Sequence, residues 1–193
     1  AIPAWAPGCY MIRDFERHLV RIAAADGQGR PLGVTKRDKQ TWDLAPSTGL
    51  PLPLQIRYQV YAWDLSVRAA HLDRRRAFFN GPCLLLQVRG LTDGPCRIEI
   101  LAPEGDAYRD WRVATSLRPL TAEPLGFGAY QADDYEDLID HPVELGRFDL
   151  IEFAVGAVPH VMAMSGRQQC DQVRLRRDLA RVCAQQAALF REL

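Results

Sequence analysis

Between Ile2 and Leu120 the chain alternates short apolar stretches with dense punctuation: Pro7-Gly8, Asp26-Gly27, Pro31, the run from Pro46 to Pro53, Asn80-Gly81, Asp93-Gly94-Pro95 and Pro103 to Gly105. The stretches are too brief for globular helices and sit at the spacing of antiparallel strands. The clearest are HLVRIAAAD (His18 to Asp26), LQIRYQVYAWDLSV (Leu54 to Val67), CLLLQVRG (Cys83 to Gly90) and CRIEILAP (Cys96 to Pro103). In the second, Ile56, Tyr58, Val60 and Ala62 share one face, and Tyr61, Trp63, Leu65 and Val67 share the other. Apolar residues on both faces predict a central strand. With Trp5, Trp42, Trp63 and Trp111 as bulky fillers, the pattern predicts a mainly β fold, an antiparallel β-sandwich or saddle.

Near Gln131 the pattern changes. ADDYEDLIDHP carries acids in its first turn and stops before Pro142, which predicts a short helix whose amino end favours negative charge. RFDLIEFAVGAVPHVMAMSG (Arg147 to Gly166) predicts two strands broken around Gly156 to Pro159. The last segment places Leu175, Leu179, Val182, Gln186 and Leu189 on one stripe of an amphipathic helix capped by Asp171, with Arg174, Arg177, Asp178 and Arg181 around the rest. The shift near Gly146 predicts a boundary between a β domain, residues 1–146, and a short α+β segment of two strands and a helix, residues 147–193.

Composition narrows the function classes. Hydrophobic residues make up 48% of 193 positions, enough to bury a core. Lys and Arg number 24 against 24 Asp and Glu, so no net field holds a polyanion, and nucleic acid is disfavoured as a partner. No apolar run approaches the roughly 20 residues of a membrane span, so no membrane partner is expected. Five scattered cysteines without a Cys-x-x-Cys pair read as free thiols of a reducing, cytoplasmic compartment.

The chemistry-bearing motifs are few. His18, His71, His141 and His160 stand alone, and the chain has no His-Glu-x-x-His, whose spacing would aim two imidazoles and a base at one zinc. Neither a Gly-x-Ser-x-Gly elbow nor a phosphate loop is present. GFGAY (Gly126 to Tyr130) reads as a turn, and Arg74-Arg75-Arg76, beside Asp73, as a solvated loop rather than a single-strand clamp.

Taken in order, IPAWAPGCYMIRDFERHLV, YQVYAWDLSVRAAHLD, RAFFNG, WRVATSL, GFGAYQADDYEDLIDHPVELGRF and VPHVMAMSG resemble the amino-terminal region of the PDZ-carrying glycyl aminopeptidases, a gluzincin family of zinc metallopeptidases. The resemblance implies an amino-terminal β domain, here lacking its first strands, and the first strands and helix of a thermolysin-like catalytic domain, ending before the zinc site. It implies a zinc cofactor in the full-length enzyme and none in this chain, which alone would be inactive. Peptide substrates and the catalytic and PDZ domains of the same parent are the implied partners, with zinc-activated water attacking the scissile carbonyl. Cys9 and Pro82-Cys83 depart from the hydroxyl residues usual in the family.

Related, larger aminopeptidases place a polar residue of the β domain near the substrate's free amine. The comparable place here is Phe79-Asn80-Gly81, so Asn80 and Phe79 are candidate substrate-binding residues, with Phe78 and Phe79 packing the domain junction. An Asn80-Gly81 tight turn requiring positive φ explains the same residues. Arg13 and Asp14 read as a structural charge pair facing the catalytic domain. A second function class is a stand-alone β-sandwich that binds a peptide or protein, or self-associates, through an exposed strand edge.

Overall fold

The computed structural model describes residues 1–45, 49 and 52–190, so most of the run from Pro46 to Pro53 lies outside the described residues. The elements in chain order are β1 (Leu19–Ala25), β2 (Pro31–Lys36), β3 (Trp42–Ala45), β4 (Gln55–Val60), β5 (Ala70–Leu72), β6 (Arg76–Phe79), α1 (Gly81–Leu84), β7 (Cys96–Ile100), β8 (Arg112–Ala114), β9 (Arg118–Pro119), β10 (Gly128–Ala132), α2 (Tyr135–Ile139), β11 (Val143–Gly146), β12 (Phe148–Val155), β13 (Val158–Ser165) and α3 (Gln172–Phe190). The strands form antiparallel sheets in the orders β3-β2-β1-β4, β7-β10-β9, β5-β6-β11-β8 and β12-β13. The mainly β fold followed by a hairpin and helix is therefore as the sequence pattern predicts.

Local chemistry sets the ends of these elements. Asp26 stops β1 because its buried carboxylate accepts from the backbone N–H of Gln28 and Arg30, each at 2.9 Å, and from Arg30 Nε at 2.7 Å. Those bonds shape the turn that delivers β2 to β1. Asp134 caps α2 by accepting from the Asp137 N–H at 2.8 Å, and Asp171 caps α3 through Arg174 N–H at 3.0 Å. Gly156, with φ of +57°, turns β12 into β13.

Two apolar layers share Phe79. One joins Trp111, Val113, Tyr130, Ile139, Val143 and Leu145 between the β7-β10-β9 and β5-β6-β11-β8 sheets, closed by α2. The other holds Ile2, Ala6, Cys9, Phe15, Ala70 and Cys83 beneath the amino-terminal segment, and Phe79 packs against both. Beyond β11, Arg112 ties the β12-β13 hairpin to the sandwich, its guanidinium 4.5 Å from the centre of the Phe148 ring and bonded to the Phe148 carbonyl.

Several sequence expectations are corrected. The Leu54 to Val67 stretch is not a central strand: β4 ends at Val60 and lies at a sheet edge, with Gln55, Arg57 and Gln59 exposed opposite half-buried Ile56, Tyr58 and Val60. Cys83 to Gly90 is not a strand, because Pro82 enters the first turn of α1 and the Asn80 carbonyl accepts from Cys83 N–H at 3.1 Å. Trp111 is buried, but Trp5 and Trp63 are 49% and 63% exposed and fill nothing. On α3 the inward stripe runs through Leu175, Leu179, Cys183 and Ala187, leaving Val182, Gln186 and Leu189 exposed. Helix period alone does not say which side of a sparse apolar stripe meets the sheet.

Candidate functional site

After β4 the chain leaves its sheet in an excursion that returns as β5. Tyr61 N–H bonds the His18 carbonyl at 2.7 Å, Leu72 N–H bonds Ala62 at 3.0 Å, and Trp63 bridges to His71. The tip is shaped by Asp64, which accepts from Ser66 N–H at 2.8 Å. With its backbone paired along the base and no layer above it, the excursion presents Tyr61, Trp63, Leu65 and Val67 as an exposed apolar ledge. His18 lies stacked on Tyr61 at the rim; burial, and then the Arg17 charge, push its imidazole down from the usual range.

Asn80 stands beside this ledge, held on every side but one. Its backbone N–H bonds the Ala69 carbonyl at 3.1 Å, and its carbonyl accepts from Cys83 N–H and from Cys83 Sγ at 2.9 Å. Burial pushes that thiol up to about 11, which keeps it a neutral donor. The side-chain Nδ2 donates to the Val67 carbonyl at 3.0 Å. With Nδ2 fixed toward Val67, the amide oxygen is left as an acceptor that meets no donor among the described residues.

Asn80-Gly81 is not a positive-φ turn. Asn80 is extended, φ −92° and ψ 135°, and Gly81 is required by contact instead. A Cβ on Gly81 would lie 2.6 Å from Ile139 Cα and 2.8 Å from its carbonyl oxygen, so only glycine lets α1 rest on α2.

The other predicted site residues separate. Phe79 bridges the two apolar layers, a packing role, while Phe78 occupies the alternate, partly buried position of β6 opposite Glu144. Arg13 and Asp14 do not pair with each other: Arg13 Nε donates to Cys9 Sγ at 3.4 Å, and Asp14 meets Lys39 Nζ at 2.7 Å on the surface. Neighbouring side chains on an extended segment point apart, which sends the two charges to different partners.

One pair escaped the sequence reading. His71 is 6% exposed, its Nε2 3.2 Å from Asp73 Oδ2 and its ring 5.0 Å from that of Trp63, while Nδ1 is buried without a partner. Asp73 Oδ1 accepts from the N–H of Arg75 and Arg76 at 2.7 and 2.9 Å, closing the β5-β6 turn. Those two backbone donors, aided by His71, hold its carboxyl down at about 2. The His-x-Asp spacing, which sets both side chains on one strand face, was the available signal. The Arg74 to Arg76 stretch is thus a tight hairpin turn and the start of β6, and GFGAY runs into β10 from Gly128.

No group of three or more His, Cys, Asp or Glu side chains among the described residues could hold a metal ion. All five cysteines are free thiols. No described helix is long and apolar enough to cross a membrane.

The comparisons with known proteins agree with this architecture. The crystal structure of an aminopeptidase N family protein from Idiomarina loihiensis superposes with a TM-score of 0.88 and 40% sequence identity, covering 99% of this chain. The chain spans 32% of that protein's length. No curated protein matches the chain. The model of the peptidase M61 N-terminal domain matches residues 1–147. An antiparallel β fold that carries this match over most of its length places the chain in a known group: it belongs to the peptidase M61 N-terminal domain family.

Proposed function

We propose that the chain is the amino-terminal part of a zinc-dependent, glycyl aminopeptidase-like enzyme that removes residues from peptide amino ends, with glycine and alanine favoured. The observation that carries this reading is the family match over residues 1–147 together with likeness to an aminopeptidase N family protein over 99% of the chain. Zinc, the thermolysin-like remainder and a PDZ domain would belong to the parent outside these 193 residues, the β domain ending near Gly146. No step of peptide hydrolysis is assigned to this chain's own residues. Its role is to support and cover the peptide cleft, with the ledge from Tyr61 to Val67 facing the catalytic domain. Asn80 accepts a hydrogen bond from the substrate ammonium through its unengaged amide oxygen. Free thiols support a cytoplasmic setting.

The test uses glycyl and alanyl p-nitroanilides with zinc present. The complete enzyme releases nitroaniline and the 193-residue chain alone releases none; release by the chain alone overturns the division of labour. Loss of a hydrogen bond to a charged amine is worth about 1.5–3 kcal/mol, so Asn80→Ala in the complete enzyme lowers kcat/KM by roughly tenfold or more. Unchanged kinetics remove Asn80 from the cleft.

The edge position of β4 favours a second reading, a module that adds an extended peptide or a second copy to that edge. Capture of such a peptide, or concentration-dependent dimers in light scattering, supports it; a monomer that captures nothing sinks it.

A further inference from the structure

We propose that Ser116, His141 and Asp137 form a nucleophilic site that takes acyl groups from small activated esters. Three segments converge there: Ser116 lies between β8 and β9, Asp137 on α2, and His141 in the link from α2 to β11. Ser116 Oγ is 2.7 Å from His141 Nδ1, and His141 Nε2 is 3.1 Å from Asp137 Oδ1.

The protonation pattern follows from the partners. Asp137 Oδ2 accepts from Asp133 N–H at 2.8 Å, and that bond, followed by the one from His141, holds the carboxyl below the usual range. An ionised carboxylate only accepts, so Nε2 donates its proton to Asp137, and the matching tautomer offers its Nδ1 lone pair to the serine hydroxyl. The ring is reversed relative to the usual serine-hydrolase arrangement, in which Nε2 faces the serine, but the relay of hydroxyl, imidazole and carboxylate is the same.

The supporting frame is rigid and the reacting atom is open. Tyr135, Leu138 and Ile139 anchor α2 in the core, and Asp134 caps its first turn. Ser116 is exposed and the His141 side chain is 23% exposed, so an ester can reach Oγ.

In the reaction Ser116 Oγ forms a bond to the acyl carbon while its proton passes to His141 Nδ1. The ester C–O bond then breaks, and the departing alkoxide leaves with that proton as the alcohol. Water repeats the sequence to free the acid and restore the serine.

The probe is p-nitrophenyl acetate: the 193-residue chain is acetylated, quenched in acid before water releases the acyl group, and mapped by peptide mass spectrometry, with folding checked by near-ultraviolet circular dichroism. Ser116 becomes the fastest-labelled hydroxyl, and Ser116→Ala loses that label while melting unchanged. His141→Gln slows labelling roughly a hundredfold, the scale of general-base assistance. Asp137→Asn, which keeps an acceptor toward Asp133 N–H but no longer fixes the tautomer, slows it without moving the melting temperature. A folded chain unlabelled at Ser116, or equal labelling in His141→Gln, overturns the proposal.

Discussion

The sandwich and helix α3 draw on similar residue types yet bury them to different depths. In the sandwich Val143, Val113 and Ile139 are 0%, 1% and 2% exposed. In α3, 19 residues long, no side chain is fully buried, and Val173, Leu189 and Phe190 are 81%, 72% and 69% exposed. Only one face of that helix rests on β12, through half-buried Leu175, Leu179 and Cys183. Two sheets closed by α2 remove apolar surface from water on all sides, and the β12-β13 hairpin buries Phe148, Ile151 and Val155, whereas α3 meets protein on a single side. The resistance of the chain to unfolding is therefore lowest along α3, and the helix is the part that opens first.

Substitutions can break that contrast. Ile139→Ala, in the joint between α2 and the first apolar layer, costs about 3 kcal/mol in chemical denaturation. A loss under about 1 kcal/mol would mean the layer is loosely packed. Gly81→Ala costs about 2 kcal/mol because its Cβ meets the Ile139 backbone, which cannot swing away as a side chain can. An unchanged denaturation midpoint would disprove that close approach.

A smaller effect depends on pH. The Asp73 carboxyl sits at about 2 against its ordinary 3.8, so its contribution is complete above pH 3.8 and is lost as pH falls through about 2. Asp73→Asn keeps an acceptor for Arg75 and Arg76 N–H but cannot titrate. Acid melts of the variant are therefore less steep across that window, and identical curves would remove Asp73 as a source of acid sensitivity. The smallest effect is expected on α3, where Leu179→Ala costs about 1 kcal/mol because its surroundings are already half open. Hydrogen exchange sharpens the same point: amides of α3 exchange before those of β11, and equal protection would show that the two regions open together.

Much of the local structure is legible in the sequence alone. Period-two patterns with turn residues at their ends located β1 and β7, acids in its first turn located α2, Asp171 located the start of α3, and Gly156 located the last hairpin. These features depend on contacts within a few residues. The failures share another cause. Leu54 to Val67 has apolar residues on both faces, which reads as a central strand, but its second half is the exposed ledge beside Asn80. Cys83 to Val88 has strand composition but is diverted by Pro82 and by the seat of Gly81 against Ile139. Arg13 and Asp14, adjacent in the chain, find Cys9 and Lys39 in space.

At the candidate site the sequence named Asn80 and Phe79 through a resemblance, but not which of the two could meet a ligand. Phe79 is taken up by packing between two layers, and Asn80 keeps one free acceptor because Val67 holds its amide nitrogen. Neither the Val67 contact nor the meeting of Ser116 with His141 leaves a mark in residue spacing, since each joins segments many positions apart. What the sequence determined by itself was the class of fold, the helix caps and the family, because backbone propensity, capping and alternation act locally and repeat along the chain. What only the tertiary structure decided was which apolar faces are covered and which polar atoms stay free, because burial and hydrogen bonding depend on partners that folding brings together from distant positions.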